Sequence, residues 1–384
     1  MKLLYIANIR LPTEKAHGVQ IMKMCEAFSG LGYGVELVVP RRLNKIKDDP
    51  FSFYGTKRSF TIRRLPVPDL IAFGPVGFFA ETLSFSLVAL SYVIFKKNAV
   101  LYTRDEGVAY LLSLLGKTIF WETHTQSRNR MTGTTLRRVA GIITLTQASK
   151  EYYKKEFGVS DGKILVAADG VDVDFFSVKK TQIEARRELE LPADKKLIGY
   201  IGKYKTMGEG KGVDEIVEAV ASLRKEIPDA VVMVVGLDKN EMKELASACD
   251  MKGIGAKERI FVSHVPLATI PLYLKACDVL VMNYPNTPHY ARFMSPLKLF
   301  EYMASSVPIV TSDLPSIREV LDETTAAFVK PGDVRDLSRG IKLVLQDKNH
   351  AAALAIAARV TVDGYSWRRR AGSIMRFIGS AKLF

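Results

Sequence analysis

Short runs of β-branched and aliphatic residues alternate with amphipathic helical stretches through the first half of this chain, break off in a polar segment, and then begin again. Alternation of this kind is the pattern of βαβ units, in which each helix carries the chain back so that the next strand pairs parallel to the last. In the first half the runs predict strands at Leu3–Ala7, Val35–Val39, Ala99–Tyr102, Thr118–Trp121, Ile142–Leu145 and Ile164–Ala168. A helix over 18–29 presents Val19, Met22, Cys25, Ala27 and Phe28 on one face and stops in the glycines Gly30, Gly32 and Gly34. The second half predicts strands at Leu197–Ile201, Ala230–Val235, Ile260–Val262, Val279–Met282 and Pro308–Thr311, with an amphipathic helix at Val213–Glu226. The fold class is therefore α/β. At 384 residues the chain is long enough for two cores, and the polar, strand-poor segment Val178–Lys196 is the expected connection between them. The expected domains are residues 1–187 and 188–365, with 366–384 as a closing helix.

Three widely spaced cysteines, Cys25, Cys249 and Cys277, exclude a disulfide framework and a thiolate zinc site and fit a reducing, cytoplasmic compartment. The amino terminus turns polar by Arg10 and Glu14, so it is expected to be a buried strand rather than a signal peptide. The most apolar stretch, Leu70–Phe95, contains Gly74, Pro75, Gly77 and Glu81. Its uncharged run after Glu81 is 14 residues, and no transmembrane helix is expected. The net charge is +14, of which residues 1–200 carry +10; eight basic residues between Arg41 and Arg64 face only Asp48 and Asp49. Such a balance favours an anionic partner, or is simply a well-solvated surface. Nucleic acid is not the expected partner, because the basic residues lack interleaved aromatic platforms.

Two clusters stand where ligands bind in open parallel sheets, just beyond the carboxyl ends of strands. The first is Tyr200-Ile-Gly202-Lys203 followed by Gly208-Glu-Gly210-Lys211-Gly212 at a helix start. Glycine admits a phosphate to the backbone, a helix start offers N–H groups, and the lysines supply charge; two surface lysines in a flexible loop would read the same way. The second is Ser295-Pro296-Leu297-Lys298 through Glu301, a serine N-cap and proline N1 signature that leaves amides at Leu297 and Lys298 for a phosphate. Glu301 lies on that helix, where it can accept hydrogen bonds from ribose hydroxyls, or is an ordinary exposed acid.

These clusters, together with Ala16-His17-Gly18, Glu122-Thr123-His124, Asp169-Gly170-Val171-Asp172 and the closing Tyr365-Ser366-Trp367, resemble glycosyltransferase family 4 along essentially the whole chain. The resemblance implies a GT-B fold, two Rossmann-like domains facing across a deep cleft, with the helix from Ser366 crossing back to the first domain. It implies retaining transfer of a sugar from a nucleotide-diphosphate donor, UDP- or GDP-linked, to a hydroxyl acceptor, with no cofactor and no metal. Lys203 and Lys211 would clamp the diphosphate, Gly202, Ser295, Pro296, Leu297 and Lys298 would approach a phosphate, and Glu301 would hold the ribose. Val265 would lie near the base, Gly18 near the diphosphate and sugar, and His124 beside the transferred sugar. Asp172-Val-Asp174 is not assigned a metal.

Two departures stand out. Phe293 occupies the position of the earlier of two glutamates that the family carries eight residues apart, and Lys203 replaces a common arginine, keeping charge but losing its fork. The first motivates an alternative, a catalytically impaired nucleotide-sugar-binding protein or partner subunit; an epimerase of the same fold would need further acid/base carboxylates. The basic run beside the apolar run points to a lipid-linked acceptor, a role in glycan biosynthesis, and peripheral docking of the first domain on an anionic inner membrane face. A buried helix at Leu83–Phe95 with solvated arginines is the other reading of the same residues.

Overall fold

The computed structural model describes residues 1–96, 98–114, 116–206 and 209–381. The chain divides into two units, Met1–Gly170 with Trp367–Phe384, and Val171–Ser366.

The first unit is built on β1 (Lys2–Ile6), β2 (Gly34–Arg41), β3 (Thr61–Pro66), β4 (Ala99–Thr103), β5 (Ile119–Glu122), β6 (Gly141–Thr144) and β7 (Ile164–Val166). They form one parallel sheet in the order β3-β2-β1-β4-β5-β6-β7, with Leu3 of β1 level with Val35 on one side and Val100 on the other. Leu3, Leu4, Tyr5 and Ile6 are all fully buried, as the near-continuous apolar strands of a sheet covered on both faces must be. Phe85, Ala89 and Val93 of the helix Gly74–Ile94 join Leu4, Leu101, Trp121 and Ile142 in one core. The helix Trp367–Ala381 closes the unit; its Phe377 stacks edge-on against Phe120 over Gly141, where a Cβ would come within 2.6 Å of the ring.

The second unit carries β8 (Lys196–Ile201), a two-residue hairpin of β9 (Lys205–Thr206) and β10 (Glu209–Gly210), and β11 (Ala230–Leu237), β12 (Arg259–Ser263), β13 (Val279–Met282), β14 (Ile309–Ser312) and β15 (Ala327–Val329). Its six-stranded parallel sheet runs β12-β11-β8-β13-β14-β15. In each sheet the strand order reverses beside the unit's first strand, between β1 and β4 and between β8 and β13, and that is where such folds open a crevice for ligands.

Several expectations change. The segment Val178–Lys196 is not a connector. Thr181 and Glu184 form a capping box that starts the helix Gln182–Glu188, and Arg186 is buried, 2.6 Å from Asp278 and hydrogen-bonded to the carbonyls of Ala276, Ala193 and Lys195. These bonds tie the segment to the second unit, which begins at Val171 rather than at 188. Pro75 and Gly77 do not break the apolar stretch, because Pro75 lies in the first turn of the helix Gly74–Ile94, where its missing N–H is not needed. Glu81 does not interrupt it either: fully buried, it pairs with Arg42, which also donates to Asn8 Oδ1 at 2.6 Å. Ile71–Ile94 is thus long and apolar enough to cross a membrane by length and composition, although about a third of it is buried in this unit. Finally, the first unit holds 29 Lys and Arg against 14 Asp and Glu, a net +15, whereas the second holds 26 against 27, a net −1. The closing helix, with its four arginines, accounts for much of the change from the sequence reading.

Candidate functional site

At the carboxyl end of β8 the chain turns through Gly202 with φ 144°, a conformation that favours glycine. A Cβ there would lie 2.7 Å from Lys298 Nζ. Gly212, the N-cap of the helix Val213–Leu223, has φ 73°, and its Cβ would fall 1.6 Å from the Asn283 carbonyl oxygen. The two glycines let the turns after β8 and β13 approach each other.

Lys298 enters from the helix Leu297–Ala304. Side chains on a helix lean toward its amino end, and residues four apart share a face. Lys298 and Tyr302 accordingly both meet the end of β8: the Ile201 N–H donates to Tyr302 Oη at 2.8 Å, and the tyrosine O–H donates to the Ile201 carbonyl at 3.2 Å. Lys298 Nζ lies 3.7 Å from the centre of the Tyr200 ring and 5.7 Å from that of Tyr284. The ammonium is buried and has no hydrogen-bond partner among the described residues. Burial holds it well below the usual lysine range, with Lys211 adding to the effect and Glu301 opposing it. Lys211 is lowered to about 8, by burial first and then by Lys203. The Glu301 carboxyl is raised to about 7 by burial, against the pull of Lys298. Lys203 is exposed, and the Tyr200 hydroxyl donates to its carbonyl at 2.8 Å. The result is a cluster in which cations outnumber acids and one buried ammonium lacks an acceptor, an arrangement suited to a multivalent anion.

The second unit thus brings Gly202, Lys203, Lys211, Lys298 and Glu301 together. Ser295 is not the N-cap. Pro296 holds that position with extended ψ of 130°, and the helix starts one residue later, at Leu297. The first amides of the helix are still without intrahelical acceptors. Val265 lies half-buried in the turn after β12, and Phe293 ends a single π-helical turn, His289–Phe293. Gly208 lies outside the described residues.

Gly18 and His124 belong to the first unit. Gly18 is buried near the start of the helix Ala16–Gly30, and the space of a Cβ is taken by Tyr54 Oη at 2.2 Å and Thr13 at 2.7 Å. Its missing side chain makes room for these groups rather than for an open approach. His124 Nε2 lies 2.7 Å from Oε1 of the fully buried Glu122.

Sequence reasoning quoted Tyr200 without giving it a role, and overlooked Tyr284 beside Lys298, Asn283 beside Gly212 and Arg370 beside Glu122. Arg370 carried a signal: it sits at helical spacing on the apolar stripe Trp367, Ala371, Ile374 and Ile378, where a solvated arginine would not be placed. Among the described residues, no group of three or more His, Cys, Asp or Glu side chains is arranged to hold a metal ion.

Residues 181–361 match the family described as Glycosyl transferases group 1. The match falls within the second unit. The chain is 29% identical over 215 residues to a 2-deoxystreptamine glucosyltransferase of Streptomyces kanamyceticus, covering 55% of this chain and 53% of that protein. It is 23% identical over 256 residues to a GDP-mannose-dependent alpha-(1-6)-phosphatidylinositol monomannoside mannosyltransferase of Mycolicibacterium smegmatis, covering 65% of each. The matches therefore span between about half and two thirds of these relatives' lengths. Among solved structures, a sucrose-phosphate synthase from Thermosynechococcus elongatus aligns with a TM-score of 0.79 at 17% identity over all of both chains. HepE from Anabaena, in complex with UDP, aligns with a TM-score of 0.75 at 15% identity over 99% of this chain and all of that one. These likenesses show the fold, which is that of the GT-B glycosyltransferases.

Within the second unit, an unpartnered buried ammonium destabilises the unliganded fold. Replacing it by an apolar side chain of similar length is expected to recover about 1–3 kcal/mol. Lys298→Met should therefore raise the melting temperature of the unliganded protein by several degrees at neutral pH. Because the folded-state pKa is depressed, the folded protein binds fewer protons than the unfolded chain. The gain should accordingly shrink as pH rises from the depressed folded value toward the ordinary lysine value of 10.5, and level off above it. Calorimetric scans at pH 7 and pH 10.5 check both points, and a lower melting temperature for the variant at pH 7 contradicts them.

Proposed function

We propose that the chain is a retaining, metal-independent glycosyltransferase that moves a sugar from a nucleotide-diphosphate donor, UDP- or GDP-linked, to a hydroxyl acceptor. The observation that carries the reading is the Lys298 ammonium, buried against Tyr200 and Gly202 at the carboxyl end of β8 without an acceptor. A donor diphosphate supplies the missing anion. Lys211 and Lys203 add charge, and the free amides at Leu297 and Lys298 complete the cradle. As the bond between the sugar's anomeric carbon and the phosphate oxygen breaks, negative charge grows on that oxygen, and these groups stabilise it more in the transition state than before. The acceptor oxygen bonds to the anomeric carbon on the face the phosphate leaves, and its proton passes to the departing phosphate oxygen. Configuration is retained without a protein nucleophile. Glu301 accepts from ribose hydroxyls, and His124 lies beside the transferred sugar. Phe293 offers no carboxylate to the sugar hydroxyls, so neighbouring groups must hold them.

The test is a binding screen of UDP, GDP and their common sugars, followed by donor turnover with EDTA present and assignment of the product anomer. Lys211→Ala should weaken nucleotide-diphosphate binding about ten-fold or more, and Lys203→Ala, being exposed, by less. Unchanged affinity in both variants contradicts the donor assignment. A strict Mg²⁺ or Mn²⁺ requirement contradicts the metal-free mechanism. Tight binding with neither hydrolysis nor transfer selects the alternative of an impaired nucleotide-sugar-binding subunit.

The reading extends to a membrane-borne, lipid-linked acceptor. Along the helix Gly74–Ile94, Val76, Phe79, Leu83, Leu87 and Ile94 are exposed at helical spacing, and no charge lies on that face. The unit that carries them holds the chain's whole positive excess. Exposed apolar side chains enter a headgroup region, and basic groups draw the unit to anionic lipid at up to about 1 kcal/mol each. The protein should float with anionic vesicles at low salt, and a triple change of Phe79, Leu83 and Leu87 to Ser should abolish flotation. Flotation that survives the triple change, or is absent in the parent, removes the membrane proposal but not the transferase reading.

A further inference from the structure

The buried centre of the first unit is the Glu122 carboxylate, fully removed from solvent at the end of β5. Gln20 and Tyr102 donate to it from neighbouring elements, and His124 approaches at 2.7 Å. The fixed cation that faces it belongs to the closing helix: Arg370 Nη1 and Nη2 lie 3.2 Å and 3.1 Å from its two oxygens. Arg370 is itself held from behind, its Nε donating to the Ala168 carbonyl at 2.9 Å and Nη2 to that of Ala167 at 3.3 Å. Arg104 joins the cluster through Gln20 Oε1 at 2.5 Å, Asp169 lies 4.0 Å from Arg370, and the Tyr5 hydroxyl is buried alongside.

This arrangement fixes more than the position of the His124 ring. A carboxylate paired with a guanidinium is an acceptor only, so the imidazole nitrogen that faces it must donate. Nε2 therefore carries the hydrogen, and Nδ1 keeps its lone pair. The imidazole is 20% exposed, so a ligand can reach it. Burial and then Arg104 push its pKa down, against Glu122; at Glu122, burial pulls the carboxyl up, but Arg370, His124 and Arg104 together hold it well below the usual carboxylate range.

Resting on the reading that His124 lies beside the transferred sugar, we propose that Glu122 and Arg370 are positioning residues that lock His124 in the tautomer protonated at Nε2, leaving Nδ1 to accept a hydrogen bond from a donor-sugar hydroxyl. The helix Trp367–Ala381 is then part of the site and not merely a brace, since it supplies the charge that keeps Glu122 an acceptor.

The tautomer can be read without substrate, by ¹⁵N–¹H correlation of the imidazole nitrogens of the five histidines, with His124 assigned by its loss in His124→Gln. In the parent protein, His124 should show a protonated Nε2 and an unprotonated Nδ1 from pH 6 to pH 8. In Arg370→Gln, Glu122 loses its cation, the Glu122–His124 pair takes up a proton at higher pH, and His124 should titrate within that window. Arg370→Lys should restore the parent spectrum. In donor turnover, Arg370→Gln should lower kcat far more than it raises KM for the nucleotide moiety, and should shift the pH profile. A parent spectrum with Nδ1 protonated overturns the proposal, whether or not the variant folds; so does a folded Arg370→Gln with unchanged His124 signals. The predicted spectra without any donor turnover would instead sink the transferase reading and leave the positioning role standing.

Discussion

A lysine buried without an acceptor is costly, and the geometry of the second unit is arranged around one. Lys298 leans back along its helix onto the Tyr200 ring, and Gly202 has no Cβ because the ammonium occupies that space. Tyr302, one turn further on, anchors the same helix to both backbone groups of Ile201. Aromatic faces give a cation partial compensation, yet they leave its hydrogen-bonding capacity unused. Polar groups left unsatisfied in this way concentrate where an unbound ligand completes them. Lys211, also depressed by burial, and Lys203 near it make the same point from a second turn.

The first unit solves the opposite problem. Its central buried carboxylates are paired with guanidinium groups: Glu122 with Arg370 and three further donors, and Glu81 with Arg42. Breaking such pairs leaves an uncompensated buried charge, so the closing helix is bound to this unit by electrostatics as well as by its apolar stripe. The surface is different again. All of the chain's positive excess falls on this unit, together with an uncovered apolar helix face, while the second unit is close to neutral. The proposed membrane docking and the proposed donor binding therefore draw on different units.

The alternation of strands and helices was legible because fully buried parallel strands are written as apolar runs; Val279–Met282 is read from the sequence at both of its ends. The misses have physical causes. Strand β3 contains Arg63 and Arg64 and has mostly exposed side chains, so it reads as a basic loop. Strand β15 is three residues long. The segment around Arg186 looked like a linker because its buried contacts are made by a long polar side chain to carbonyls that no local pattern announces. At the site, the glycines and lysines after β8 and the helix start near Lys298 were readable from composition and spacing. That Lys298 turns back over an aromatic ring, and that Tyr54 fills the hollow of Gly18, depend on tertiary packing.

On the proposed reading, the cluster around Lys298 is an anion site kept incomplete by burial. Calorimetric titration with a nucleoside diphosphate at pH 8.0, in two buffers of different ionisation enthalpy, tests it directly. Burial has lowered Lys211 to about 8 and Lys298 well below its usual range, and an anion beside them restores the charged forms. Binding should therefore take up about one proton or more per molecule. Binding with no net proton uptake at that pH would contradict the claim.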